Sequence, residues 1–95
     1  MGQLRKKAQQ LSRRTRNGDR AAAQELLRHS VETGHGKLAL HRFFLARAMG
    51  AEVRGDLARY CADLMTRIPS ETVRKIAQAE AANARLYLQR GASDA

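Results

Sequence analysis

The sequence predicts an all-α fold, a small four-helix bundle with a basic N-terminal helix or arm. Three observations lead there. The stretch KLALHRFFLARAM, residues 37–49, carries apolar side chains on three edges of a helix and is bracketed by Gly36 and Gly50. Leu57, Tyr60, Cys61, Leu64, Met65 and Ile68 follow helical spacing. Turn and capping residues, Asn17-Gly18, Gly34 and Pro69-Ser70, punctuate the segments between.

Residues 3–16, QLRKKAQQLSRRTR, place Leu4, Ala8 and Leu11 in a thin apolar seam on an otherwise cationic segment. Two alternatives stand for it. As a frayed arm it only keeps the chain in solution; as a binding segment, Arg5, Lys6, Lys7, Arg13, Arg14 and Arg16 contact nucleic-acid phosphates. After Asn17-Gly18, Asp19 is expected to cap a helix over residues 20–33, with Ala23, Leu26, Leu27, Ser30 and Val31 on one face and Gly34 as its stop. The short Gly-His-Gly connection makes this helix and the next an antiparallel hairpin.

The stretch 37–49 holds both phenylalanines, and its Leu38, Leu45 and Met49, its Leu40, Phe44 and Ala48, and its Ala39, Phe43 and Ala46 form three apolar edges. Only a helix with neighbours on most sides hides that much surface, so it is expected at the centre. The next helix should start near Asp56 and end at Ile68, before Pro69. Cys61 falls inside its apolar stripe and reads as a small core residue, not a nucleophile. The last helix spans residues 71 to about 90, capped by Ser70 and stopped by Gly91, with Val73, Ile76, Ala77, Ala84, Tyr87 and Leu88 on one face. Arg74 and Arg85 share the opposite face with Gln78 and Gln89, and Lys75 lies alongside; the row either tracks a phosphate backbone or is a solvated face. Glu80 falls on the apolar side, where an ion pair with an arginine of another helix is expected. The domain reading is therefore 1–16 basic arm or helix, 17–90 bundle, 91–95 loose tail.

Charge sets the functional expectation. Eighteen Lys and Arg stand against nine Asp and Glu, a net of +9, and residues 1–20 hold seven of the basic side chains with one Asp. Such a field attracts polyanions. Only two tyrosines and two phenylalanines are present, too few for base stacking to supply the main energy, so backbone contact to a duplex or structured RNA fits better. The expected function is a small nucleic-acid-associated accessory or regulatory protein, its partner DNA or RNA. The alternative is a helical interaction module or inhibitor, a subunit of a larger nucleoprotein complex, that docks a basic face on an acidic protein surface. A chain of 95 residues buries a smaller share of its surface alone than a larger domain does, which leaves a homodimer open as well.

Other function classes find no support. His29, His35 and His41 are spaced six apart and do not share a helical face, and no His-x-x-x-His or Cys-x-x-Cys pair occurs, so no metal is expected. No phosphate-binding Gly-rich loop, nucleophile elbow or paired carboxylates appear, so neither an enzyme nor a cofactor is expected. One cysteine cannot form an internal disulfide, and no signal peptide or membrane span is legible, so a cytoplasmic location is expected.

Two local resemblances add to this. RYCADLMTRIPSETVRKIAQ resembles a helix-turn-helix, although Asp63 and Arg67 stand where such motifs place a small apolar residue and a glycine. It would imply that Ser70, Glu71, Thr72, Arg74 and Lys75 face a DNA groove. AQELLRHSVETGHGKLALHRFFLARAMGAEVRGDLARY resembles one unit of a tetratricopeptide-like helical repeat, which would imply stacked hairpins and a protein-binding groove.

Overall fold

A computed structural model describes residues 2–93 and the side chains of residues 5–92. The described residues form five helices and no strand: α1 (Gly2–Arg16), α2 (Arg20–Glu32), α3 (Gly36–Ala48), α4 (Gly55–Met65) and α5 (Ser70–Ser93). The expected count of four is corrected to five, because the basic N-terminal segment is itself a docked helix. Leu11 and Thr15 of α1 are buried, and Leu11 and Ala8 pack on Ala22 and Leu26 of α2. Leu4, expected in the same seam, lies outside the described side chains.

Three glycines close three helices in the same way. Gly18, Gly34 and Gly50 have φ of 91°, 76° and 82°. Behind each, the next residue's N–H bonds back five residues: Asp19 to the Arg14 carbonyl at 3.1 Å, His35 to Ser30 at 3.0 Å, Ala51 to Ala46 at 2.9 Å. These are Schellman closures, in which a left-handed residue lets the chain turn and satisfies the last carbonyls of the helix.

The α2–α3 hairpin is antiparallel. Arg20 at the head of α2 donates to the Met49 carbonyl at the foot of α3 at 2.6 Å, while Arg42 of α3 donates to the Ser30 hydroxyl near the foot of α2. α3 is the central helix, in contact with α2, α4 and α5. Toward α4 it buries Ala39, Leu40 and Phe43 with Leu57 and Cys61; toward α5 it buries Leu45, Ala46 and Met49 with Ala84. Leu38, expected on a buried edge with Leu45 and Met49, is instead 42% exposed, while those two are buried farther along the helix.

Two helix ends differ from expectation. α4 stops at Met65, three residues early, because Thr66 and Arg67 tighten into bonds with Asp63 and Leu64 and Thr66 Oγ1 donates to the Asp63 carbonyl. α5 runs through Gly91 to Ser93, so residues 91–93 are helix and not a loose tail, while 94 and 95 lie outside the described residues. The helix-turn-helix resemblance fails on packing: α4 lies on α3 and α2, whereas α5 lies on α3 and α1. No described helix is long and apolar enough to cross a membrane.

Candidate nucleic-acid interface

α1 is amphipathic in an unusual sense, one narrow apolar face and cations on every other side. With Leu11 facing α2, a rotation of 100° per residue sends Lys6 and Arg13 to the opposite side. Arg5 and Arg16 also lie on the solvent side, about 120–140° from Leu11, while Lys7 and Arg14 flank the docked face at about 40–60°. All six are exposed. The pairs Lys6/Arg13 and Lys7/Arg14 are seven residues, about 10 Å, apart along the axis; Arg5 and Arg16 are about 16 Å apart.

What these side chains touch separates them. Arg14 is committed to Asp19, with Nη2 2.8 Å and Nε 2.9 Å from the same carboxylate oxygen. The other oxygen of Asp19 accepts the Ala22 N–H at 3.0 Å, the expected cap of α2. That backbone bond and the Arg14 guanidinium hold the Asp19 carboxyl below its ordinary range. Arg16 donates to the Ser12 hydroxyl at 2.9 Å. Arg5, Lys6, Lys7 and Arg13 form no ion pair among the described residues. Lys7 is not wholly uncompensated: the Glu25 carboxyl of α2 is held below its ordinary value by the nearer Arg28 and, after it, by the charge of Lys7. Arg5, Lys6 and Arg13 remain as solvated cations.

The expected second row on α5 is less uniform. Arg74 and Arg85 are exposed and lie on one side of the helix, about 16 Å apart. Lys75 points about 100° away from Arg74 and lies 3.8 Å from Glu71, one turn back. α1 and α5 meet where their C-terminal ends converge. There Arg14 and Asp19 line one open cleft of about 570 Å³ with Leu88 and Gly91. Arg20 lines the same cleft and was not among the predicted contacts. Its position after the capping Asp19 was the available signal, since the first residue of a capped helix lies beside the end of the preceding one.

Glu80 pairs with a histidine, not the expected arginine: His41 Nδ1 lies 2.7 Å from Glu80 Oε2, and Asn83 donates to Oε1 at 3.1 Å. His35 Nδ1 lies 2.9 Å from Thr33 Oγ1, and both ring nitrogens of His29 are buried without a hydrogen-bond partner. No three of the described His, Cys, Asp and Glu residues come together in a cluster suited to a metal ion. Cys61 is fully buried, its thiol directed at the Ala39 carbonyl 3.9 Å away, and burial pushes its pKa up to about 11. No protein-family model, curated protein or solved structure matches the chain.

Proposed function

We propose that the chain is a small nucleic-acid-associated accessory or regulatory protein that binds phosphate backbone chiefly by electrostatics, with α1 as the principal contact. One observation carries this reading: Arg5, Lys6, Lys7 and Arg13 are exposed and, among the described residues, without ion pairs, on a helix whose Leu11 and Thr15 are locked into the body. Counter-ions condensed on a nucleic acid are released when such side chains replace them, which gives affinity without base recognition. A rigid helix presents them at fixed spacing, so little side-chain support has to be ordered on contact. Arg74, Lys75 and Arg85 of α5 extend the positive field.

Fluorescence anisotropy with labelled duplex DNA and duplex RNA tests the reading. Binding should weaken steeply with salt, log K falling by about 0.9 for each phosphate neutralised. Weak binding that ignores salt would refute it and favour the second reading, a basic module docked on an acidic protein surface.

A further inference from the structure

We propose that the outer face of α5 is a self-association surface, on which a second copy of this chain lays its own α5 antiparallel. Turned 180° from the buried Ala84, α5 carries Glu71, Lys75, Ala79, Ala82, Leu86 and Arg90, all exposed. Leu86 is 46% exposed, one of two large apolar side chains left in water among the described residues. The face is open because α5 spends its opposite side on α3 and its C-terminal end on α1.

The occupant follows from the order of these residues. Their spacing is four, four, three, four and four, which reads the same in both directions about the midpoint between Ala79 and Ala82. A copy laid antiparallel about that midpoint brings Ala79 against Ala82 of the second copy, where two small residues let the backbones approach. The methylene stem of Lys75 then covers Leu86 of the second copy. At both ends Glu71 faces Arg90 of the second copy. A parallel copy would instead set Glu71 beside Glu71 and Arg90 beside Arg90. Antiparallel pairing also places the positive end of each helix dipole beside the negative end of the other. Among the described residues of the single chain the ion-pair partner of Glu71 is Lys75, 3.8 Å away with both side chains more than two-thirds exposed, so its carboxylate is open to a second copy.

Such a face sits at the small end of specific interfaces, below about 1,200 Å² in total, and each protomer carries +9, so association is weak and strongest where salt screens the repulsion. It is isologous, which closes at a dimer. The inference does not depend on α1 binding nucleic acid, because it is tested without any.

Sedimentation equilibrium of the full chain at about 0.15 M salt, from micromolar to millimolar protein, decides it. The expected result is a monomer–dimer equilibrium abolished by Leu86→Lys, which sets two like charges at the Lys75 contact. Glu71→Arg or Arg90→Glu alone should weaken it on the order of tenfold, and the double variant should restore it. Far-UV circular dichroism checks that these solvent-facing changes leave the helices formed. A monomer throughout the range, a dimer indifferent to these substitutions, or a double reversal that fails to rescue the singles would each overturn the proposal.

Discussion

Gly18 and Gly91 meet where neither has room for a side chain: a Cβ on Gly91 would stand 3.0 Å from the Asn17 carbonyl oxygen and 3.3 Å from the Gly18 Cα. A Cβ on Gly18 would stand 3.0 Å from both the Gly91 Cα and the Tyr87 carbonyl oxygen. This contact joins the end of α1 to the last turns of α5, and so fixes the cationic helix to the body at the end away from its N-terminus.

Gly18→Ala and Gly34→Ala should therefore differ. Both glycines have positive φ, 91° and 76°, but nothing lies within 4 Å of a Cβ at Gly34. Gly34→Ala should cost only the left-handed conformation, about 1–2 kcal/mol. Gly18→Ala adds overpacking against two backbone atoms and should cost about 2–4 kcal/mol. Urea unfolding of the two variants beside the parent measures the difference; equal losses would mean that the contact with α5 contributes nothing.

His41 and Glu80 tie α3 to α5 across a partly buried 2.7 Å contact. Together with the packing of Leu45, Ala46 and Met49 against Ala84, it aligns the two helices in parallel. His41→Ala leaves a nearly buried carboxylate with Asn83 as its remaining partner and should destabilise by about 1–3 kcal/mol. In the double variant with Glu80→Ala the orphaned carboxylate is gone. Unfolding measurements on all four members of the cycle should give a coupling of roughly 0.5–3 kcal/mol, and additive single losses would show the two residues to be independent.

Cys61 gives a prediction with a definite sign. Its thiol is held protonated in the fold up to about pH 11, against an ordinary value of 9.0. Above pH 9 the unfolded chain releases this proton while the native chain retains it, so the unfolded state binds fewer protons and stability falls as pH rises between the two values. Cys61→Ala should flatten that part of the stability profile relative to the parent, after subtraction of what lysines and tyrosines contribute to both. Native-state alkylation at pH 8 should be slow and should accelerate only with global unfolding.

The sequence made the Asn17-Gly18 turn, the stop at Gly34, the Asp19 cap, the α2–α3 hairpin and the central place of α3 legible, because each is a local signal supported by its neighbours within a few residues. Gly91 shows where such reading stops. A glycine after a basic last turn has the signature of a helix terminator, yet here it has ordinary φ and exists for close approach to a turn more than seventy residues earlier. The partner of Glu80 was hidden for the same reason: burial was readable from helical spacing, but which of many cations lay opposite depended on the parallel alignment of α3 and α5. On α1 the cations were obvious, whereas the docking that makes them a rigid array rests on Leu11, Thr15 and Ala8, three modest residues. Thr15 was not expected inside; its hydroxyl is satisfied by the Leu11 carbonyl at 2.7 Å, which makes its burial inexpensive.

That docking decides how α1 must be probed. Removing residues 1–16 would strip the cover from Ala22 and Leu26, so lost binding could not be told from a damaged fold. Point substitutions avoid this. Lys6→Gln with Arg13→Gln removes two solvated cations on the side opposite Leu11, and should leave the melting temperature within a few degrees while lowering the log K–log salt slope by about 2 in magnitude. Arg14→Gln should behave differently. It removes one cation already paired to Asp19, so it should reduce the slope by less than either Lys6→Gln or Arg13→Gln alone, and it should lower stability modestly by releasing the capping carboxylate from its partner. Anisotropy titrations at four or more salt concentrations, paired with thermal melts, separate the two behaviours. If the Lys6/Arg13 variant retains the full slope on both DNA and RNA, α1 is not the contact surface and its cations serve only to keep the chain in solution.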